Sequence, residues 1–161
     1  MIHITRKAKP ANTTKGGTQM SKSRSGLFPS SRANAKILRA TAYRAIHTMV
    51  EQTKGGKSKS MAIGAYDTKT GKIVTAFAGN IPDKIHPELI KRAGKIGGIG
   101  TKGISTKNTV GVCAEFHVVN ELLLSGSNIS DIKLTHAIRP RTGKGRPYCA
   151  NCKKMFSDLI K

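Results

Sequence analysis

Residues 112–125 read VCAEFHVVNELLLS, and this segment predicts a helix buried in the core of a small α/β domain. Its apolar side chains recur at helical spacing, and the positions predicted to be buried are Phe116, Val119, Leu122 and Leu123. Gly126 follows as a left-handed cap, because glycine adopts a positive φ without steric cost. A cysteine and a glutamate at the start of so apolar a helix require an explanation beyond packing.

The other predicted elements complete an α/β pattern around this helix. In chain order they are helix, strand, strand, short helix, strand and helix, at residues 31–53, 61–66, 72–78, 87–93, 131–138 and 149–160. The first helix is amphipathic, with a buried face formed by Leu38, Ala42, Ala45, Ile46, Met49 and Val50. Helices packed on a small sheet are therefore expected.

The 161 residues suffice for one domain with a hydrophobic core. Residues 1–30 are rich in Lys, Thr, Ser and Gly and have no apolar period, so they predict a flexible basic arm or linker before a domain at 31–161. The N-terminal residues lack the apolar core of a signal peptide, and no apolar run approaches the roughly 20 residues that span a bilayer. No membrane span is expected.

The positive charge of the chain far exceeds what solubility requires. There are 29 Lys and Arg against 8 Asp and Glu, a formal net charge of +21. This surplus predicts a polyanionic partner, most simply nucleic acid, because each neutralised phosphate releases condensed counterions. An anionic membrane surface is the alternative partner. Aromatic residues make up only 4% of the chain, so charge should provide much of any affinity.

The three cysteines fall into one pattern with a carboxylate beside it. Cys113 lies two residues before Glu115, and Cys149 and Cys152 form a CxxC pair; the odd number argues against a disulfide framework. Three thiolates can hold Zn²⁺ and leave its fourth tetrahedral position open, while a carboxylate that is not a ligand moves protons. Cys113 and Glu115 can face one metal only if Cys113 occupies the cap of its helix.

Two alternative roles for the cysteines remain open. His117 follows Cys113 by four residues and could complete a closed Cys₃His zinc site, which would make the chain a non-enzymatic nucleic-acid-binding module. The thiols could also be small buried apolar side chains. Only the arrangement with an open metal position supports catalysis.

Cys113-Ala114-Glu115, followed by a strand and then by Cys149-x-x-Cys152, resembles the zinc-dependent cytidine deaminase-like superfamily, most closely the deaminase domains of bacterial polymorphic toxins. The resemblance implies a three-layer fold over residues 31–161, with a small mixed β-sheet flanked by helices. It implies that Cys113, Cys149 and Cys152 bind zinc, and that Glu115 is the catalytic proton shuttle of a hydrolase that converts cytosine to uracil in nucleic acid.

The same resemblance implies further properties. DNA, single-stranded rather than double-stranded, is favoured over RNA as substrate, and an immunity protein is an implied partner. A toxin domain would act in the cytoplasm of its target cell. The enzymatic alternative is a deaminase of free cytidine or deoxycytidine, which a Cys₃ ligand set favours and the net charge of +21 disfavours.

Substrate contacts are predicted in three places. By the resemblance, Asn80 after the second strand touches the sugar or base; the alternative is a turn asparagine that bonds only its own backbone. Tyr148 is expected to stack on a base or to cap the last helix. The basic residues before the CxxC pair are expected to bind phosphates; they are Arg139, Arg141, Lys144 and Arg146. His86 is expected in the loop after Asn80, solvated or beside the pocket, and a glycine-rich loop up to residue 110 is expected to border its mouth.

Overall fold

The computed structural model describes residues 5–6, 31–105 and 107–160. Its strands are β1 (Thr5–Arg6), β2 (Ala62–Asp67), β3 (Ile73–Phe77), β4 (Ile132–Leu134), β5 (Ala137–Ile138) and β6 (Gly145–Arg146). Its helices are α1 (Ser31–Gln52), α2 (Pro87–Gly94), α3 (Ala114–Leu124) and α4 (Ala150–Met155). Apart from β1, the predicted arm at 1–30 lies outside the described residues. Among the helices of the described residues, none is long and apolar enough to cross a bilayer.

The sheet is built around β2, which has partners on both sides. β3 pairs with one edge of β2 and continues to β1, while β4 and β5 pair with the other edge and β5 continues to β6. A mixed sheet was predicted, but every pairing among the described strands is antiparallel. β3 and β4 do run in the same direction, since both are antiparallel to β2. They form no parallel pair because β2 lies between them.

Side chains of β2 and β3 alternate between two helical layers. Ile63, Ala65 and Val74 pack in one core with α3, whereas Ala62 and Phe77 pack with α1. Because successive residues of a strand face opposite sides, the sheet separates α1 from α3. The predicted α/β class is confirmed, and so is the buried face of α1, which comprises Leu38, Ala42, Ala45, Ile46, Met49 and Val50.

Asp67 holds the turn between β2 and β3 and is buried although it carries charge. Its Oδ1 accepts the backbone N–H groups of Lys69 at 2.8 Å and Thr70 at 3.0 Å, and its Oδ2 accepts the Ser127 hydroxyl at 2.6 Å. Burial alone would raise the pKa of Asp67, but these hydrogen bonds outweigh burial and lower it. The carboxylate therefore ties the hairpin to the segment that follows α3.

α3 is enclosed on nearly all sides. The four positions predicted to be buried are buried. The first two residues of the helix, Ala114 and Glu115, are buried as well, and so are His117 and Asn120. The helix ends as predicted: Gly126 has a φ of 104°, and its N–H donates to Leu123 O at 3.0 Å, while Ser127 N–H donates to Leu122 O at 3.0 Å. This pair of hydrogen bonds satisfies carbonyls that a helix end would otherwise leave unpaired.

The strand predicted at 131–138 is divided by a bulge. Leu134 pairs with Ala65 and Ile138 with Ala62, so one extra residue stands on this strand between the two pairs. The Thr135 hydroxyl accepts the Gly64 N–H at 3.1 Å, in place of a backbone carbonyl. The bulge changes the register just before the hairpin that leads to α4.

The last helix is shorter than the predicted 149–160, because it ends at Met155. The chain then turns back, and Leu159 O accepts the N–H of Leu134 in β4 at 3.2 Å. Phe156 and Leu159 are both buried in the core that contains α3. Packing of this turn against β4 therefore replaces the second half of the predicted helix.

Candidate metal centre

The three cysteine sulfurs lie within 4.8 Å of one another, and Cys113 Sγ and Cys149 Sγ are 3.4 Å apart. Cys113 is the N-cap of α3, Cys149 is the N-cap of α4, and Cys152 lies in the first turn of α4. All three are free thiols and could together hold a metal ion.

The sulfur spacing fits a tetrahedral thiolate site. Zinc bonds thiolate sulfur at about 2.3 Å, which places two sulfurs of one tetrahedron about 3.8 Å apart. The observed spacing brackets that value, from 3.4 Å to at most 4.8 Å. The donor set also fits, because soft thiolates select zinc and a few other soft metals over magnesium or calcium.

The three thiols ionise unequally. Hydrogen bonds with Cys113 and Cys152 lower the pKa of Cys149, whereas the hydrogen bond with Cys149 raises the pKa of Cys113. Hydrogen bonds with the other two cysteines, together with burial, raise the pKa of Cys152. Negative charge is thus stabilised first on Cys149, and a bound cation is what would allow the other two thiols to lose their protons.

Glu115 is buried beside this cluster, with 3% of its surface exposed. It is the second residue of α3, and its carboxylate lies near the side chains of Cys149 and Cys152. Burial raises the pKa of Glu115 to about 7. Cys113 and Glu115 both reach one cluster because Cys113 stands at the cap, outside the regular turns of α3.

His117 is not part of the sulfur cluster that the described residues form. Its Nε2 lies 3.3 Å from Gly79 O, at the end of β3, and its Nδ1 is buried without a hydrogen-bond partner in the described part of the chain. Burial lowers the pKa of His117, which favours a neutral ring. The imidazole predicted as an alternative fourth ligand instead contacts the strand end.

Asn80 is exposed. Its neighbour Gly79, just after β3, forms a backbone hydrogen bond with the segment that precedes α3. Gly79 N–H donates to Val112 O at 3.0 Å, one residue before Cys113. The backbone at Asn80 therefore lies next to the segment that carries the first cysteine. His86, further along the same loop, is partly exposed, and its Nδ1 accepts the Glu88 N–H at 3.0 Å as the N-cap of α2.

Tyr148 is half-buried directly before Cys149. Its hydroxyl donates to Thr135 O at 2.5 Å, and its ring stacks on His136 with 6.2 Å between ring centroids. Burial raises the pKa of Tyr148 to about 12. Tyr148 does not cap α4, since Cys149 does so. His136 is exposed on the bulge, and sequence reasoning missed it because the bulge depends on pairing with β2.

The four predicted phosphate-binding residues lie on the β5–β6 hairpin. Arg139 N–H donates to Lys144 O at 2.9 Å, and Gly143 has a φ of 74° in the turn between them. All four side chains are exposed: Arg139, Arg141, Lys144 and Arg146. The basic loop of the sequence is thus an ordered hairpin that leads through Tyr148 to the CxxC pair.

Comparison of the chain with protein-family models, with curated proteins and with solved structures finds no match in any of the three.

Proposed function

We propose that the chain is a zinc-dependent hydrolase that deaminates cytosine to uracil in nucleic acid. The observation that carries this proposal is the position of Glu115, a buried carboxylate placed against three sulfurs that lie within 4.8 Å of one another. A buried carboxylate is unfavourable for folding unless it is paired or used. A purely structural metal site has no need of one.

Cys113, Cys149 and Cys152 would hold the zinc, and three protein ligands are the number typical of catalytic zinc sites. When bound, zinc supplies Lewis acidity and lowers the pKa of a water molecule. His117 bonds to Gly79 O instead of joining the cluster, which favours this arrangement over a closed Cys₃His site.

Glu115 is assigned the proton transfers. Its carboxylate would accept a proton from the attacking water and deliver it to the base, so that the exocyclic amine leaves as ammonia and a carbonyl takes its place. The carboxylate is buried beside the Cys152 side chain, which restricts the positions it can adopt. One water is consumed and one ammonia released per base.

Nucleic acid is proposed as the substrate because of charge. A free nucleoside has no phosphate to match a net charge of +21, whereas a strand could run along the exposed cations of the β5–β6 hairpin toward the cluster. The exposed ring of His136, stacked on Tyr148, offers a surface for a base. Asn80 is assigned a contact to the sugar or base of the target.

Single-stranded DNA is the preferred substrate in this proposal, since an unpaired base enters a pocket without the cost of leaving a duplex. We extend the proposal to a bacterial toxin domain that acts in the cytoplasm of its target cell and is blocked by an acidic immunity protein. Only the motif resemblance and the basic charge support this extension.

The test is to incubate zinc-loaded protein separately with single-stranded DNA, double-stranded DNA, RNA and free cytidine, and to measure uracil or uridine by chromatography. The proposal expects product from the polynucleotides, with single-stranded DNA giving the most. If cytidine were the only one of the four substrates to give product, the result would favour a deaminase of free nucleosides. No product from any substrate, with zinc bound, would leave a metal-stabilised nucleic-acid-binding module.

A further inference from the structure

Asn151 stands between the two cysteines of the CxxC pair and is 2% exposed. Its Oδ1 accepts the N–H of Ile104 at 2.9 Å, and its Nδ2 donates to Lys102 O at 3.1 Å and Asn108 O at 3.4 Å. One buried side chain thus serves three backbone groups of the glycine-rich loop between α2 and α3. We call residues 102–105 and 107–108 the clasp loop.

The clasp loop is fitted closely to this asparagine. Gly103 has a φ of 59°, and a Cβ there would collide with Asn151 Oδ1 and lie 2.9 Å from Val110 Cγ2. The Asn108 side chain also lies beside the Cys149 thiol. The loop therefore contacts α4 both through Asn151 and at a candidate metal ligand.

α4 is poorly able to fix this contact by itself. It has only 6 residues, and so short a helix gains little from its own hydrogen bonds. A metal held by Cys149 and Cys152 would fix the first turn of α4, and with it the side chain between them. The order of the clasp loop should then depend on the state of the cysteines.

We propose that Asn151 couples the clasp loop to the cysteine cluster, so that metal binding orders the loop at the edge of the site. Asn151 is a positioning residue in this scheme and contacts neither metal nor substrate. The inference rests on the metal site of the proposed function, but it does not require deamination. It makes metal occupancy a condition for a formed loop beside the site.

Hydrogen exchange followed by mass spectrometry tests the coupling on the full chain, with zinc and after removal of metal by a chelator. Zinc should slow exchange of the clasp-loop amides, Ile104 above all, by about tenfold, because their acceptor becomes fixed. The turn at Lys69 and Thr70, held by Asp67, serves as an internal reference and should not change. Equal exchange of Ile104 with and without zinc would overturn the inference.

Two variants perturb the contact from opposite sides. Asn151→Ala removes all three hydrogen bonds, and Gly103→Ala sets a Cβ against Asn151 Oδ1 without changing the sequence of α4. Both should bind zinc in the wild-type ratio, as measured by elemental analysis, and lose the zinc-dependent protection. The matched controls are Lys153→Ala, exposed on α4, and Gly94→Ala, whose Cβ would meet nothing within 4 Å; both should keep it.

The outcomes separate this inference from the proposed function. Wild-type protection in zinc-loaded Asn151→Ala or Gly103→Ala would overturn the coupling and leave deamination untouched. Zinc-dependent protection in a protein that yields no uracil would support the coupling and contradict the proposed function. If the chain bound no zinc, both would fail.

Discussion

Cys113 Sγ and Cys149 Sγ lie 3.4 Å apart although 36 positions separate them in the chain. Each cysteine is the N-cap of a different helix, and the connection between them runs through α3, the bulged strand and the β5–β6 hairpin. The fold thus brings two helix starts together with a buried carboxylate beside them. This convergence is the basis of the proposed metal site.

Replacing any one cysteine by serine should abolish tight zinc binding, because the cluster has only three donors and each zinc–thiolate bond contributes a large part of the binding free energy. Elemental analysis should show about one zinc per chain in the wild type and almost none in Cys113→Ser or Cys149→Ser. Chelation should lower the unfolding temperature of the wild type, since a ligand bound only by the folded state stabilises it by about 4 kcal/mol at a thousandfold its Kd.

The serine variants provide the control for that measurement. Their unfolding temperatures should not respond to the chelator, since they hold no zinc. If the Cys113→Ser variant had the zinc content and the unfolding temperature of the wild type, Cys113 would not be a ligand.

Ser127→Ala should destabilise the fold in a pH-dependent way. The hydroxyl of Ser127 helps to lower the pKa of Asp67, so the stabilisation requires an ionised carboxylate; it is present above the unfolded-state pKa and is lost as pH falls through the folded-state pKa. The variant should lose about 1–3 kcal/mol of unfolding free energy at pH 7, and the difference should shrink below about pH 4.

Denaturant titrations at pH 7 and pH 3 measure this effect. Ser130→Ala, at an exposed position nearby in sequence, is the control and should change stability little at either pH. A loss of equal size at both pH values would mean that the Asp67 carboxylate does not contribute through its charge.

The local patterns of the sequence predicted most of the fold correctly. The six buried positions of α1 follow from helical period, and the β2–β3 hairpin and α3 fall within two residues of their predicted bounds. The bulge at Thr135 and the bond between Leu159 and Leu134 were not predictable, since both depend on partners distant in sequence. The split strand and the short α4 result from these contacts.

The site divides in the same way. The cysteines and Glu115 could be singled out because metal-binding residues recur in short motifs, and the structure brings the three sulfurs together. The role of Asn151 could not, because its partners are backbone groups of a loop 43–49 positions away. An asparagine between the two cysteines of the CxxC pair was the only available signal.

Substituting the hairpin cations should reduce the salt dependence of oligonucleotide binding. Removing one cation that binds a phosphate should lower the slope of log affinity against log salt by about 0.7 for a single strand. The variant carries alanine at Arg139, Arg141, Lys144 and Arg146, so the slope should fall by up to about 3 if all four contact phosphates. Zinc content should not change.

A matched variant separates a defined binding surface from net charge. It carries alanine at four exposed lysines outside the hairpin: Lys57, Lys69, Lys91 and Lys154. Fluorescence anisotropy from low to physiological salt should show a smaller change in slope for this control. Identical slopes for the two variants would mean that charge acts non-specifically and that the hairpin is not the phosphate-binding surface.

The most direct test of the central claim compares uracil formation in single-stranded DNA by zinc-loaded wild type and Glu115→Gln. The substitution preserves the shape of the side chain and removes its capacity to accept a proton, so zinc content should be equal while turnover falls by about 10²–10⁴-fold. That result would support an activated water with Glu115 as proton shuttle. Equal turnover by the two proteins, or no uracil from the zinc-loaded wild type, would contradict the account.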